Sequence, residues 1–295
     1  MIITVLLLML ALILLVWLAL RLKMQVRREQ QLREETEASK QQIIVEQTRN
    51  RQLKQEMTNN IAHELKTPVS SIRGFLEILL GDKPVAEEQR RYFLERCYSQ
   101  TLRLSDLIND VSLINKLEEA NDLFNRETVN VWERAEEAIR ELQPNAEQQH
   151  ITIQNDLPKE MIIEGNSLLL YSIFRNLIEN SITHAGEGVN IGITCYRRDT
   201  GAVKREGLDG NETDRNEDYY FIQFYDTGKG VSNEYLPKLF DRFVRIDEGR
   251  SRKSGGTGLG LSIVKHAVLF HGGDIYVQNR KEGGLEFFFS LKKPH

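Results

Sequence analysis

The first twenty residues of the chain form an uninterrupted apolar segment, MIITVLLLMLALILLVWLAL. It contains no charged side chain and one polar one, Thr4. At about 1.5 Å per residue, a helix of this length spans a hydrocarbon core of about 30 Å. Basic residues follow at once in RLKMQVRREQ. The pattern predicts a single-pass transmembrane helix over residues 1–20 in the inner cell membrane, with the rest of the chain in the cytoplasm.

A cleaved signal peptide is the alternative for this segment. It requires a basic start, a shorter apolar core and a cleavage site between small residues, and residues 1–20 have none of these features. Because no residue precedes Met1 in the sequence, we expect no extracellular sensor domain.

The polar stretch that follows predicts a long helix. Residues 21–57 have many charges, sparse apolar positions and no glycine or proline, which is typical of a weak coiled coil. We assign residues 21–52 to a helical linker of this kind.

From Met57 onward the apolar positions recur at helical spacing. The first series is Met57, Ile61, Leu65, Pro68, Ile72, Phe75 and Leu79, and the second is Cys97, Leu104, Leu107, Val111 and Ile114. Gly81 and Pro84 separate the two series, so residues 53–120 are predicted to form an antiparallel helical hairpin. One hairpin leaves a wide apolar face uncovered, and two copies would make a four-helix bundle, so we expect a homodimer. Pro68 lies inside the first helix, where it is expected to cause a kink or to cost ~3 kcal/mol.

The remaining residues, 121–295, alternate between strand and helix patterns. Strands are predicted at 151–157, 161–165, 189–197, 218–226, 274–279 and 285–291, and helices at 167–185 and from Leu259 to about Phe270. Between the third and fourth strands, DTGAVKREGLDGNETDRNE (199–217) is polar and rich in glycine and aspartate, which predicts a long mobile loop. The fold class predicted is therefore multidomain, with an α-helical part followed by an α/β domain.

The amino-acid composition argues against some classes of function. The net charge is −4, which gives no global basic signal for direct nucleic-acid binding. The two cysteines, Cys97 and Cys195, are far apart and outside any CxxC spacing, so neither a disulfide framework nor a zinc site is expected. Both are predicted to be small buried hydrophobic residues.

The stretch RNLIEN (175–180) carries two amide side chains suited to a metal. Asn176 and Asn180 are four residues apart and share a helix face. Amide oxygens are hard ligands that can hold Mg²⁺ without adding charge. Taken alone, two asparagines at this spacing are more often a solvated helix face.

The stretch DTGKG (226–230) ends an apolar strand. A carboxylate at Asp226 can accept a hydrogen bond from an exocyclic amine, and Gly228 and Gly230 allow backbone to approach a flat ligand closely. Taken alone, this is a common turn after a strand.

Two further stretches complete the set. LFDRFVRID (239–247) places Phe240 and Phe243 three residues apart, which pins a loop to the domain or is ordinary core packing. SGGTGLGLSIV (254–264) has four glycines before a helix, and its free amides can bind phosphate. It is not a Walker A loop because it lacks the G-K-S/T ending, and it does not open a dinucleotide-binding unit.

Together and in this order, these stretches resemble the catalytic core of a two-component sensor histidine kinase over residues ~53–295. RNLIEN resembles the N box of that family, DTGKG its aspartate-glycine box, LFDRF its F box and GGTGLGLSIV its glycine-rich lid box. NIAHELKTP (60–68) resembles the H box of the dimerisation and histidine-phosphotransfer domain. The resemblance implies a dimeric helical hairpin over 53–120, joined to an α/β-sandwich ATP-binding domain of the Bergerat (GHKL) type over 121–295.

His63 is the candidate phosphoacceptor. At ~100° per residue, the first apolar series falls within an arc of ~80°, and His63 lies ~200° from its centre, so its imidazole is expected to face water. A neutral imidazole is a nucleophile near pH 7, and Glu64 can accept a proton from the second ring nitrogen or hold its tautomer. Thr67 lies one turn on, near the same face, and the resemblance implies that it orients water in the reverse, phosphatase reaction. His63, Glu64 and Thr67 are therefore the predicted catalytic residues.

The resemblance also assigns the nucleotide site, with ATP and Mg²⁺ as cofactors. Asp226 would bind adenine, and Asn180 with Asn176 would hold Mg²⁺. Arg245 and the amides of the glycine-rich stretch would contact phosphate. The residues predicted to bind the nucleotide are Asn176, Asn180, Asp226, Gly228, Gly230, Phe240, Phe243, Arg245, Gly256, Thr257, Gly258, Leu259 and Gly260. The implied partner is a cytoplasmic response regulator, whose aspartate receives the phosphoryl group.

Three positions depart from the family pattern. Thr183 and His184 stand where the N box often has a lysine and an aromatic residue. The lost cation would weaken phosphate binding unless another, such as Lys229 or a basic residue of 250–253, replaces it. Asn166 stands where the family often has aspartate.

Two alternatives belong to other classes of protein. A dimeric scaffold would bind nucleotide or a regulator without phosphotransfer, but the intact His63, Asn180 and Asp226 argue against it. Another ATPase on the same fold, of the gyrase or heat-shock chaperone kind, would lack the HELKTP hairpin before the ATP domain.

Overall fold

The structure, a computed structural model, describes residues 2–81, 84–119, 124–196, 218–244 and 257–294. Side chains are described throughout these ranges except at many positions of residues 2–54 and at Glu118 and Glu119. The chain divides into two compact units, Met1–Ala62 and His63–His295.

Two long helices make up the N-terminal part of the chain. Helix α1 spans Ile2–Leu80 and helix α2 spans Glu87–Glu119, so the helix break predicted after Leu80 is confirmed. The predicted membrane, linker and first hairpin helices are one continuous helix. Helix α1 also continues through Pro68, so this proline does not end it.

Within the second unit, α2 packs against the end of α1. Phe75 stacks on Phe93, with ring centroids 5.6 Å apart. Further from the turn, Arg103 Nη2 lies 3.6 Å from Glu64 Oε2. Because lower residue numbers on α1 face higher numbers on α2, the two helices are antiparallel, and the predicted hairpin is confirmed.

The rest of the chain is an α/β domain. Its elements are β1 (Glu127–Asn130), α3 (Val131–Gln148), β2 (Thr152–Asp156), β3 (Ile162–Gly165), α4 (Ser167–His184), β4 (Asn190–Cys195), β5 (Tyr219–Asp226), a 3₁₀ turn (Leu236–Lys238), α5 (Gly260–Phe270), β6 (Ile275–Asn279) and β7 (Leu285–Lys292). Five strands form one sheet in the order β2-β4-β5-β7-β6, with β2 and β4 parallel and the other pairs antiparallel. Strands β1 and β3 form a separate antiparallel pair. The predicted strands and helices all occur within about two residues of their predicted bounds, the usual uncertainty of an element end.

Strand β1 and helix α3 lie where no element is predicted from the sequence. The helical pattern is nevertheless present in the buried positions, which are Val131, Ala135, Ala138, Ile139, Leu142 and Ala146. They recur at three- and four-residue spacing, so they form one face of α3. Asn130 begins the helix, because its side-chain oxygen accepts a hydrogen bond from Glu133 N at 3.1 Å.

Helices α3, α4 and α5 and the five-stranded sheet share one hydrophobic core. Phe174 on α4 contacts Phe289 on β7, with ring centroids 6.2 Å apart. Phe224 on β5 and Phe287 on β7 make a second edge-to-face pair in the same core. The predicted α/β sandwich is therefore confirmed.

Several predictions concern residues outside this description. The loop 199–217, Arg245, Gly256 and most side chains of residues 1–20 lie outside the described residues. Among the residues that are described, no helix is both long and apolar enough to cross a membrane. The transmembrane helix stays a prediction.

Both cysteines are free thiols. Cys97 is half-buried between the hairpin helices, but Cys195 is exposed, so the prediction that it is buried is wrong. Cys195 is the last residue of β4, where the burial of the strand interior ends.

Candidate functional site

His63 lies on the exposed face of α1. Leu65 and Pro68, which belong to the apolar series, are half-buried and buried respectively, so the orientation predicted from the helical spacing is confirmed. Thr67 is also exposed, and its hydroxyl donates a hydrogen bond to His63 O at 3.4 Å. The imidazole and the Thr67 side chain therefore share a solvent-facing surface.

The carboxylate of Glu64, the residue after His63, pairs with an arginine of α2. Arg103 Nη2 lies 3.6 Å from Glu64 Oε2, and the two side chains are only 17% and 19% exposed. Solvent and salt screen such a partly buried pair less than a surface pair. Arg103 was not predicted, because its place depends on how α2 aligns with α1.

Asp226 ends β5 and is buried, with 3% of its surface exposed. Its Oδ1 accepts hydrogen bonds from Gly228 N at 2.9 Å and from Leu285 N at 3.3 Å. Its Oδ2 accepts one from Ser181 Oγ at 3.3 Å. A carboxylate offers roughly four acceptor positions, so these three donors fix the side chain and leave one position for a ligand donor.

Two glycines let the backbone close around Asp226. A Cβ on Gly228 would lie 2.5 Å from Ala185 O, and a Cβ on Gly284 would lie 2.0 Å from Asp226 O. Gly284 also has a φ of +94°, which favours glycine. Ser181, Ala185 and Gly284 were missed from the sequence, since only the packing of α4 and β7 on β5 brings them to this site.

The turn after Gly228 is fixed from β6. Gly230 has a φ of +68°, and a Cβ there would lie 2.6 Å from Asn279 Oδ1. The same oxygen accepts a hydrogen bond from Val231 N at 2.9 Å, and Asn279 Nδ2 donates to Val231 O at 2.7 Å. Asn279 is thus another residue that shapes the site and was not predicted.

Asn176 and Asn180 both lie on α4, as predicted. Asn176 Nδ2 donates to Ser172 O at 2.8 Å, and its Oδ1 would lie 2.6 Å from a Cβ on Gly260, the first residue of α5. Asn180, one turn further on, is half-buried. Among the described residues, no group of three His, Cys, Asp or Glu side chains can hold a metal, so Mg²⁺ here would depend on amide oxygens and on phosphate.

Thr257, Gly258 and Leu259 form the turn that leads into α5. Gly258 has a φ of +73°, and Leu259 N donates to Thr257 Oγ1 at 3.2 Å. The first N–H groups of an α-helix have no partner within the helix, so the N-terminus of α5 can bind an anion.

The two phenylalanines of LFDRF have different surroundings. Phe240 packs edge-to-face on Phe287, with ring centroids 6.2 Å apart. Phe243 has a φ of +61° and donates its N–H to Gly258 O at 2.8 Å. Phe243 therefore ties this stretch to the glycine-rich turn through its backbone.

The departures from the family pattern have structural explanations in part. Asn166 caps α4, because its side-chain oxygen accepts a hydrogen bond from Leu169 N at 3.1 Å. Asn166 N also donates to His271 Nε2 at 3.1 Å. Thr183 donates its hydroxyl to Glu179 O at 2.7 Å, along its own helix, and His184 is exposed.

The chain combines an exposed histidine on a helical hairpin with the buried carboxylate of Asp226, around which Gly228 and Gly284 let the backbone close; we call this second arrangement the cradle. The two features together define a class of protein that joins a phospho-acceptor hairpin to an α/β ATPase domain. Residues 53–120 match the family model of the His Kinase A (phospho-acceptor) domain. Residues 165–295 match that of the histidine kinase-, DNA gyrase B- and HSP90-like ATPase. The chain belongs to the two-component sensor histidine kinase family, whose members are ATP-dependent histidine kinases.

Curated relatives agree with this assignment. The chain is 30% identical to sensor histidine kinase WalK of Bacillus subtilis, over 84% of this chain and 38% of that protein. It is 31% identical to sensor-like histidine kinase SenX3 of Mycolicibacterium smegmatis, over 83% of this chain and 59% of that protein. The chain therefore spans between about two fifths and three fifths of the length of these relatives.

Solved structures show the same fold. Histidine kinase AdeS of Acinetobacter baumannii superposes with a TM-score of 0.58 at 20% identity, over 79% of this chain and 98% of that one. Histidine kinase ThkA, solved in complex with the response regulator protein TrrA, gives a TM-score of 0.58 at 22% identity, over 81% of this chain and 61% of that one.

Proposed function

We propose that this chain is a membrane-anchored sensor histidine kinase that transfers the γ-phosphoryl group of ATP to His63 and then to an aspartate of a response regulator. One observation carries the proposal: a single compact unit holds both the exposed His63 beside a fixed Glu64 and the cradle around Asp226. The similarity to WalK and SenX3, which are named as sensor histidine kinases, supports the same activity.

The reaction at His63 is a substitution at phosphorus. A neutral imidazole nitrogen donates its lone pair to the γ-phosphorus, the bond from that phosphorus to the β,γ-bridging oxygen breaks, and ADP leaves. The second ring nitrogen passes its proton to Glu64. Arg103 holds Glu64 for this step.

The cradle around Asp226 is proposed to bind adenine. The remaining acceptor position of the Asp226 carboxylate suits the exocyclic amine, and the close packing of Gly228 on Ala185 fixes the backbone beside that carboxylate. The phosphates would then lie toward the glycine-rich turn and the N-terminus of α5. Asn180, with Asn176, would hold Mg²⁺, which offsets the negative charge of the phosphates when bound.

A second apolar face on α2 supports a homodimer. Leu94, Tyr98 and Leu102 are 51%, 68% and 50% exposed and follow one another at four-residue spacing. They lie roughly 150° around the helix axis from the series that packs on α1. A second copy of the hairpin would cover them in a four-helix bundle.

The remaining parts of the proposal concern the wider system. Residues 1–20 are proposed to anchor the chain in the membrane, since their composition suits a hydrocarbon core. Thr67, exposed one turn after His63, is proposed to orient water when the kinase acts as a phosphatase. The solved complex of ThkA with a response regulator supports the choice of partner.

Autophosphorylation of the full-length protein in detergent micelles tests the proposal. With Mg²⁺ and ATP radiolabelled at the γ-phosphate, the wild type should become labelled and His63→Gln should not. The matched control is His150→Asn, because His150 is exposed and its φ of +56° is one that asparagine tolerates. Equal labelling of wild type and His63→Gln would refute the proposal, and nucleotide binding without labelling of the wild type would favour a scaffold.

A further inference from the structure

A carboxylate of the hairpin reaches the turn that precedes α5. The Thr257 hydroxyl donates a hydrogen bond to Asp110 Oδ2 at 2.9 Å, so it joins α2 to the α/β domain. The same hydroxyl oxygen accepts the hydrogen bond from Leu259 N at 3.2 Å. Asp110 therefore lies beside the N-terminus of α5, where the proposed function places the phosphates of ATP.

The Asp110 carboxyl group is largely buried and has charged side chains around it. Burial in this contact raises the pKa of the Asp110 carboxyl to about 6, against the opposing effects of the Thr257 hydrogen bond and of Arg175. This value includes the effects of Glu179 on α4 and Asp106 on α2, whose negative charges also act to raise the pKa. Docking of α2 therefore removes a carboxylate from water at a place where other carboxylates already lie.

We propose that Asp110 and Thr257 form a latch that docks α2 on the α/β domain while the nucleotide site is empty, and that the phosphates of ATP release it. The inference rests on the proposed nucleotide site. A phosphate and the Asp110 carboxylate are both anions, and the N-terminus of one helix attracts either of them but not both together. By linkage, if nucleotide weakens the docking of α2, then docking weakens the binding of nucleotide by the same factor.

The alignment of the hairpin explains why release matters for the reaction. The contacts of Phe75 with Phe93 and of Glu64 with Arg103 place His63 level with about residue 104 of α2. Asp110 lies six residues further along α2, an axial offset of about 9 Å. Reacting atoms must approach to about 3–3.5 Å, so the latched arrangement holds the phosphate end of the site away from His63.

The latch has a definite pH dependence. The pKa of Asp110 is higher in the docked state, about 6, than the ordinary value of 3.8, so docking takes up protons. Docking is therefore strongest at acidic pH and weakens as the pH rises through about 6. The ionised form that prevails above this pH is the form that the phosphates repel.

Nucleotide affinity of the full-length protein tests the latch. Asp110→Ala removes the carboxylate and its hydrogen bond, and we expect it to bind a non-hydrolysable ATP analogue about fivefold tighter or more, the lower range of coupling between two sites. Adenosine, which has no phosphate, should change far less. The matched control is Glu88→Ala, which removes an exposed carboxylate in the first turn of α2, far from Asp110, and should bind both ligands like the wild type.

A distance measurement separates the latch from a simple loss of charge. Spin labels at the exposed positions Asn109 and Lys265, in a chain with Cys97→Ser and Cys195→Ser, report the separation of α2 and α5. One labelled chain per dimer is obtained by dilution with unlabelled chain. The analogue should lengthen the distance in the wild type but not in Asp110→Asn, which keeps a neutral acceptor, and Asp110→Ala should show the long distance with or without it.

The outcomes distinguish this inference from the proposed function. If the wild type binds the analogue and phosphorylates itself, but neither Asp110 variant alters affinity or distance, the latch is wrong and the kinase assignment stands. If the wild type binds no nucleotide, both fail together.

Discussion

At Gly228 a single hydrogen atom faces the backbone of Ala185. A Cβ there would lie 2.5 Å from Ala185 O and 2.6 Å from Ala185 Cβ, distances at which neither group can remain in place. This close approach lets Gly228 N reach Asp226 Oδ1 at 2.9 Å. The position of the carboxylate proposed to bind adenine thus depends on the absence of one methyl group.

Replacing Gly228 with alanine should therefore disturb both stability and nucleotide binding. We expect a loss of about 1–3 kcal/mol in the free energy of unfolding, the usual cost of overpacking, and a clear loss of affinity for ATP. Urea unfolding and a nucleotide-binding titration measure the two effects. Gly74→Ala is the control, because a Cβ on Gly74 meets nothing within 4 Å and should leave stability equal or slightly higher. Equal affinity in Gly228→Ala and the wild type would contradict this account of the cradle.

His271 is a second residue whose environment has a measurable consequence. It is buried, with 1% of its surface exposed; Nδ1 donates to Ala267 O at 2.7 Å and Nε2 accepts from Asn166 N at 3.1 Å. These two bonds require the neutral ring. Burial lowers the pKa of His271 from 6.5 to about 4.

Stability should therefore fall as the pH is lowered from 6.5 to 4. In this window the unfolded chain binds a proton at His271 and the folded chain does not, so protonation favours unfolding. The full effect is about 3 kcal/mol, and it is absent above pH 6.5. Unfolding free energies measured across this range should show a shallower pH dependence in His271→Gln than in the wild type. An unchanged slope in His271→Gln would contradict this account of the buried ring.

At the scale of elements, caps determine where the helices begin. Asn130 accepts the hydrogen bond from Glu133 N at the start of α3, and its Nδ2 donates to Lys159 O at 2.7 Å. At the start of α4, the side-chain oxygen of Asn166 accepts a hydrogen bond from Leu169 N. Helix α3 packs on α4, and α4 carries Asn176, Asn180 and Ser181 of the site, so the start points of these helices matter for function as well as for stability.

The cap of α3 provides a direct test of this view. Asn130→Ala should lower the free energy of unfolding by about 1 kcal/mol, because a helix N–H loses its partner. Asn130→Ser should recover most of the loss, since serine is also a good cap. Chemical denaturation of both variants measures the difference, and equal stability of the alanine and serine variants would show that the cap contributes nothing here.

An element can be predicted from the sequence when the residues that define it lie close together along the chain. The hairpin and the sheet strands depend on apolar periodicity within short windows, and His63 could be oriented by counting residues around one helix. Arg103, Ser181 and Asn279 could not be found in this way, because each reaches the site through the alignment of distant elements. Helix α3 was missed although its pattern is local, since its many glutamates and Pro144 obscure the apolar face.

At the scale of the whole molecule, the account requires two copies of the chain. The exposed face formed by Leu94, Tyr98 and Leu102 is apolar, and pairing with a second hairpin would bury it. The same pairing would place two His63 side chains on one bundle.

Light scattering of the full-length protein tests this assembly. After subtraction of detergent, the protein mass should be about twice the 34.2 kDa of one chain. Tyr98→Glu with Leu102→Glu should shift the mass toward that of a single chain, because buried unpaired charge is costly. Ser99→Glu, which adds a charge at an exposed position about 100° around the helix from the centre of this face, is the control and should stay dimeric. A double variant that remains dimeric would place the dimer interface elsewhere.

The central claim is that ATP held at Asp226 phosphorylates His63. Its most direct test is localisation of the phosphoryl group by mass spectrometry, after the full-length protein is incubated with ATP and Mg²⁺ and digested at neutral pH. The account predicts phosphate on His63 in the wild type and none in Asp226→Asn. Phosphate on another residue, or full phosphorylation of His63 in Asp226→Asn, would contradict it.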